Sequence, residues 1–140
     1  MKPYTYIFLS ILIMGCGVST KPIEYGRDQC SYCKMAIVDK AHSAQVVTNK
    51  GRVYSFDAIE CMVDYVNEAS EADFAHLVIS DFSQPGKMVD ARDAHYLVSD
   101  QIPSPMGAFL SGFGVLDSIQ NLPERIEGET LTWQQLKNER

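Results

Sequence analysis

The sequence predicts an α+β fold in which two small tandem units of antiparallel strands each pack with one helix. Three observations lead to this prediction. Short strand-like runs alternate with turn residues, an amphipathic helix follows the first strands, and the same order loosely recurs in the second half. The two sub-units are expected at about residues 27–82 and 83–140, after an N-terminal lipoprotein signal peptide.

The first unit opens with a short knuckle, CSYC, at residues 30–33. A turn of sequence Asn-Lys-Gly at 49–51 separates two strand-like runs, which is typical of a hairpin. The strands predicted for this unit lie at 34–39, 44–48, 52–56 and 75–80.

A helix is predicted between the last two of these strands, ending near Asn67. Asp57 is followed three residues later by Glu60, which resembles a capping box and explains both acids as helix-start residues. At 100° per residue, Cys61 lies about 120° from the centre of the apolar face, on the polar side of the helix. That apolar face is formed by Ile59, Met62, Val63 and Val66.

The second unit is predicted from the same kinds of signal. Residues 81–87 form a Gly/Pro-containing turn, and the two prolines within 102–107 make that loop stiff. Thr132 and Gln135 offer a capping pair for a last helical turn. The remaining elements are strands at 94–99, 108–113 and 129–131 and a short helix at 116–121.

The first sixteen residues, MKPYTYIFLSILIMGC, have the composition of an export signal. Lys2 precedes an apolar stretch at 6–14, which is too short to span a bilayer. The tetrapeptide at 13–16 resembles a bacterial lipobox, in which Cys16 is acylated. We therefore expect a signal peptide at 1–15, a lipidated tether at 16–26, a metal-binding domain at 27–140, and a lipid-anchored protein facing the periplasm or the cell exterior.

Composition excludes several classes of function. Twelve Lys and Arg against 18 Asp and Glu give a net charge of -6, which argues against a nucleic-acid partner. A hydrophobic content of 46% with 21% charged residues is that of an ordinary globular protein. The sequence has no nucleophile elbow, phosphate-binding loop or dinucleotide-binding motif, so it predicts a protein that is not an enzyme.

The cysteine count limits the chemistry further. Of the four cysteines, Cys16 is assigned to lipid, which leaves Cys30, Cys33 and Cys61. Three thiols outside the cytoplasm cannot all pair within the chain. Either Cys30 and Cys33 form a redox pair and Cys61 is left over, or the thiols stay reduced for a metal.

Sulfur spacing is compatible with a metal site. In an extended segment Cys33 and Met35 point to the same side, about 6.5–7 Å apart at the backbone. A thiolate with a thioether is the soft ligand set that selects Cu(I). Met106, held between Pro105 and Gly107, is a candidate third sulfur. The competing interpretation is that Met35 packs in an edge strand and Met106 fills a gap in the core.

The other candidates are weaker. Cys61 is either a marginal ligand or a silent thiol, and His42 is the histidine nearest to the Cys33 segment and the one to test. A thiol redox protein would place its CxxC at the start of a helix, whereas here a strand is expected to follow. A structural zinc knuckle would use the three thiols and a histidine, but the spacing supplies no fourth ligand.

Five motifs occur in an order that resembles the NosL family, lipoproteins associated with the maturation of nitrous oxide reductase. The resemblance extends from about residue 28 to 133 and departs from the family pattern at 120–128. The motifs are the lipobox, Cys30-x-x-Cys33-x-Met35, the run YSFD at 54–57, VDARDAHYLV at 89–98 and SPMG at 104–107.

The resemblance implies a lipoprotein that binds one Cu(I) and delivers it to the assembly of a copper enzyme. The family's Cys-x-Met pair and loop methionine correspond to Cys33, Met35 and Met106, and Cys30 is an additional thiol of the knuckle. The partners implied are copper-enzyme assembly proteins, those of nitrous oxide reductase maturation in particular, and the membrane that holds Cys16.

Overall fold

The computed structural model describes residues 17–140, and these form two antiparallel sheets with three α-helices. The first sheet has the order β2-β1-β3-β4 and the second the order β6-β5-β7. The strands are β1 (Ala44–Thr48), β2 (Val53–Phe56), β3 (Phe74–Ser80), β4 (Met88–Asp90), β5 (His95–Val98), β6 (Leu110–Phe113) and β7 (Glu129–Thr132). The helices are α1 (Ile59–Asn67), α2 (Leu116–Gln120) and α3 (Trp133–Glu139). The predicted α+β class is confirmed.

None of the helices within residues 17–140 is long and apolar enough to cross a membrane. Cys16 and the predicted signal peptide at 1–15 lie outside the described residues.

The predicted strand at 34–39 is wrong. Lys34 adopts a left-handed backbone with φ of 69°, which interrupts the extended path directly after the knuckle. The segment then makes a single bridge between Gln29 and Ala36. Its remaining order comes from loop hydrogen bonds, such as Ile37 N to Asp28 O at 2.9 Å. The argument that Cys33 and Met35 point the same way in a strand therefore loses its basis.

The first sheet contains a strand that was not predicted from the sequence. The three-residue strand β4, missing from the prediction, pairs with β3 through Ile79 and Val89, so the first sheet extends to Asp90. The second sheet carries two helices, α2 and α3, rather than one. The capping box of Thr132 and Gln135 at the start of α3 is confirmed. The one expected from Asp57 and Glu60 is wrong, because Ala58 is the N-cap of α1 and no side chain caps it.

Helix α1 contacts both sheets, and the main hydrophobic core draws on both of them. The helix contacts β1 and β2 of the first sheet and β6 of the second. Gly112 allows β6 to approach β3 closely, because a Cβ at this position would lie 2.1 Å from Ile79 Cδ1. The largest core residues come from both halves and include Phe56, Ile59, Met62, Leu77, Ile79, Tyr96 and Leu110.

The opposite face of the first sheet is covered by the chain that precedes the knuckle. Gln45 Nε2 donates to Lys21 O at 2.8 Å, and His76 Nε2 lies 2.9 Å from Val18 O. Gln45 and Val47 are buried beneath this segment although they point away from α1. The predicted tether is therefore held against the sheet from Val18 onward.

The run at 89–98 connects the two sheets through a polar network. The Arg92 guanidinium donates to Glu71 Oε1 at 3.0 Å, and Trp133 Nε1 of α3 donates to the same oxygen at 3.3 Å. Tyr96 OH donates to Ala91 O at 2.6 Å and is fully buried. This motif stabilises the junction of the two sheets and α3.

Candidate metal centre

The knuckle is a tight turn fixed to the end of β2. Lys34 N donates to Cys30 O at 3.1 Å and closes the turn, while Cys30 N donates to Met35 O at 2.8 Å. Ser31 N donates to Ser55 O at 2.8 Å, which attaches the turn to β2 immediately before α1. The backbone thus brings both knuckle thiols to the start of the helix.

Three thiols and one carboxylate meet there. The Sγ atoms of Cys30, Cys33 and Cys61 and a carboxylate oxygen of Asp57 all lie within 4.8 Å of one another. We call these four residues the thiol cluster. Cys30 and Cys61 are 1% exposed and Asp57 is 2% exposed, whereas Cys33 is half-buried. Cys33 is therefore the thiol through which the cluster meets solvent.

Helix α1 and the residue before its N-cap contribute the other two members. Cys61 lies in the first turn of α1, and Asp57 precedes the extended N-cap Ala58, so both stand at the start of the helix. The prediction that Cys61 lies on a polar, outward side is wrong, because the knuckle covers that side. Asp57, interpreted from sequence as a cap, instead accepts a hydrogen bond from Cys33 Sγ at 3.4 Å.

The thiols differ strongly in acidity. The neighbouring Cys61 thiol lowers the pKa of Cys30 to about 6. Burial raises the pKa of Cys33. The pKa of Cys61 is also raised, first by its interaction with Cys30 and then by burial. Without a metal, the cluster therefore favours one thiolate, on Cys30, and keeps the other two thiols protonated.

A cation would satisfy an atom that the protein leaves without a partner. Asp57 Oδ2 is buried and has no hydrogen bond. A buried carboxylate oxygen without a partner is destabilising, and a bound cation removes that cost. Three thiols with one carboxylate are a donor set for a soft d¹⁰ ion such as Cu(I) or Zn(II).

The two candidate thioethers lie at the surface. Met35 is 52% exposed and Met106 is 43% exposed, so the interpretation of either as a core residue is wrong. Met106 occupies the third position of a β-turn that Gly107 N closes by donating to Ser104 O at 3.0 Å. Their assignment as ligands stays a prediction.

The loop that carries Met106 is attached to α1. Ser104 Oγ donates to Glu60 Oε1, and Glu60 directly precedes Cys61 in the helix. This hydrogen bond attaches the loop to the first turn of α1, which lies 44 residues earlier in the sequence and also carries Cys61.

His42 is occupied elsewhere. Its Nδ1 lies 2.7 Å from Asp39 Oδ2 and its Nε2 lies 3.1 Å from Ser111 Oγ. It links the segment before β1 to β6 in the second sheet, and it lies outside the thiol cluster. The structure thus gives His42 a structural role in joining the sheets.

Comparison with known proteins agrees with the motifs. The structure resembles the crystal structure of the copper chaperone NosL from Shewanella denitrificans, with a TM-score of 0.75 and 17% sequence identity. The match covers 89% of this chain and 99% of that chain, and it establishes a shared fold. No curated protein sequence matches the chain. The sequence profile of the NosL family matches residues 23–140, and the chain therefore belongs to the NosL family.

Proposed function

We propose that this protein is a membrane-anchored, extracytoplasmic chaperone that binds one Cu(I) and passes it on to a copper enzyme. The observation that carries the proposal is the convergence of three thiols and Asp57 within 4.8 Å. Membership of the NosL family and the shared fold with a copper chaperone support it. The task proposed is binding and transfer of a metal ion, not catalysis.

The geometry suits a cargo ion that must be both held and released. Thiolates neutralise the charge of Cu(I), which thioethers cannot, so the thiols set the affinity. Cys33 and Cys61 each release a proton when they bind the metal, whereas Cys30 is already a thiolate. Cys33 is the half-buried thiol, and we assign it the central role, with Met35 and Met106 supplying exchangeable ligands at the surface.

Cu(I) titration against a chromophoric competitor tests the proposal directly. The reduced protein, residues 17–140, should bind one Cu(I) and should retain Zn(II) poorly under the same conditions. A zinc-knuckle protein is the second candidate, and Asp57 favours it by supplying the fourth donor that the sequence spacing lacked. If the protein retains Zn(II) as well as or better than Cu(I), the result would contradict copper transfer and favour a structural zinc site.

The redox alternative is less compatible with the site. The knuckle is followed by Lys34 in a left-handed conformation, so the CxxC does not open a helix as it does in thiol redox proteins. Cu(I) binding and thiol–disulfide exchange activity should therefore be measured on the same protein, after cycles of oxidation and reduction of Cys30 and Cys33. Cu(I) binding by the reduced form after these cycles would favour the chaperone. Catalysed thiol–disulfide exchange without Cu(I) binding would favour the redox protein.

We also propose that Cys16 carries the lipid anchor and that nitrous oxide reductase maturation proteins receive the copper. The lipobox at 13–16 supports the first proposal, and family membership supports the second. Cys16→Ser should release the protein from the membrane or block signal processing. Membrane fractionation with mass spectrometry measures this, and a Cys16→Ser protein that stays in the membrane at its normal processed mass contradicts the anchor.

A further inference from the structure

Glu60 is a buried acid for which the thiol cluster alone gives no reason. Its relative exposure is 0%, and its Oε1 accepts a hydrogen bond from Ser104 Oγ. Its other oxygen, Oε2, has no hydrogen-bond partner. Within residues 17–140, none of the ion pairs includes Glu60.

Such an arrangement is unfavourable for folding. A carboxylate removed from water needs charged or multiple hydrogen-bond partners, and one hydroxyl does not replace its hydration. An apolar residue at this position of α1 would pack in the core at lower cost. Acids retained at a cost to stability are typical of functional sites.

The position of Glu60 indicates what it does. It lies in the first turn of α1, one residue before Cys61 and three after Asp57, so it stands in sequence between two members of the thiol cluster. Its partner Ser104 begins the turn that presents Met106, and Ser104 Oγ also accepts from Leu110 N at 3.3 Å. One buried serine therefore connects the helix, the Met106 turn and the start of β6.

We infer that Glu60 is a positioning residue of the metal centre, which acts through Ser104 to hold the Met106 turn beside the thiol cluster. The inference rests on the proposed function, with Met106 as a ligand of Cu(I). The hydrogen bond between Ser104 and Glu60 holds the Met106 turn in place before the metal binds. Loss of this bond should therefore weaken Cu(I) binding only by displacing Met106.

A double-mutant cycle tests this coupling. Ser104→Ala and Met106→Leu should each weaken Cu(I) binding by about 10-fold, the lower end of the range for residues that orient a ligand. The double variant should bind as weakly as Met106→Leu alone, because the hydrogen bond has nothing to position once the thioether is gone. X-ray absorption of the Cu(I) form should show one sulfur neighbour fewer in Ser104→Ala.

Two further variants separate positioning from general stability. Ser99→Ala removes another buried hydroxyl, which donates to Glu127 O at 2.6 Å, and should leave Cu(I) affinity unchanged. Glu60→Gln keeps an oxygen that accepts from Ser104, so it should bind Cu(I) within about 3-fold of wild type, whereas Glu60→Leu should match Ser104→Ala. Thermal unfolding of each metal-free variant checks that it folds.

The outcomes are distinguishable. If wild type does not bind Cu(I), the proposed function itself fails. If wild type binds and Met106→Leu weakens binding, an unchanged Ser104→Ala or additive effects in the cycle overturn the positioning role alone. If Met106→Leu binds like wild type, the positioning role also fails, because no ligand is left to position.

Discussion

The buried and the exposed parts of the sulfur set differ in how the fold treats them. The thiols of Cys30 and Cys61 are enclosed and lie within 4.8 Å of each other, and the knuckle that covers them is fixed to β2 by a backbone hydrogen bond. The thioethers of Met35 and Met106 are about half exposed. Rigid enclosure suits selection and retention of the metal, and exposure suits ligand exchange with a partner. Cys33 is the residue at which these two properties meet.

The largest effect should come from Cys33. Cys33→Ser should weaken Cu(I) binding by more than about 100-fold, which exceeds the range for residues that only orient a ligand. The reason is that a charge-neutralising thiolate is lost between the buried thiols and the exposed thioethers. Met35→Leu should cost about 10-fold, since a neutral thioether supplies no charge. Competitor titration measures both.

Met88→Leu, which changes a thioether in β4 away from the thiol cluster, provides the control and should bind like wild type. A Cys33→Ser protein that loses no more affinity than Met35→Leu would contradict the division between buried and exposed sulfur, and Cys30 or Cys61 would then take the central role.

An intermediate effect should come from Asp57, and it should depend on the metal. Asp57→Asn removes a hard, charged oxygen, which Zn(II) uses more readily than Cu(I) does. We therefore expect Zn(II) affinity to fall by about 10-fold more than Cu(I) affinity. Parallel competition titrations measure the two metals.

Asp93→Asn, an exposed acid in the β4–β5 connection, serves as the matched control for the loss of one charge. Equal losses for both metals in Asp57→Asn would mean that the carboxylate shapes the thiol cluster without discriminating between ions.

Sequence patterns were sufficient where the signal was local. The strand β1, the hairpin turn at 49–51 and the end of α1 at Asn67 follow from alternation, turn residues and helical periodicity, and all three are observed. The resemblance to the NosL family is likewise confirmed, because the sequence profile of the family matches residues 23–140.

The sequence was insufficient where the environment of a side chain is set by an element that is distant along the chain. A helical wheel identifies one apolar face, so it cannot show that the knuckle buries Cys61 on another face. Asp57 has the sequence context of a cap, and only the approach of Cys33 reveals its role. The predicted strand after the knuckle failed because the left-handed conformation of Lys34 has no strong sequence signal at a lysine.

The smallest expected effect concerns the pH dependence of the metal-free protein, and it tests whether the buried thiols are coupled as described. The pKa of Cys30 is about 6 in the folded protein, against 9.0 for an ordinary thiol. Between these values the folded state has released a proton that the unfolded state still holds, so stability rises with pH and is lost as pH falls through 6. The raised pKa values of Cys33 and Cys61 act in the opposite sense, and stability should decline above pH 9.0.

Urea unfolding in the presence of a reductant and a chelator, measured at intervals from pH 5 to 10, should therefore show a maximum near pH 9. Cys30→Ser should abolish the rise below the maximum, because the group with the lowered pKa is gone, whereas Ser99→Ala should keep the shape of the curve. If Cys30→Ser shows the same rise as wild type, a different group ionises in that window. The neighbouring Cys61 would then not hold Cys30 as a thiolate in the metal-free protein.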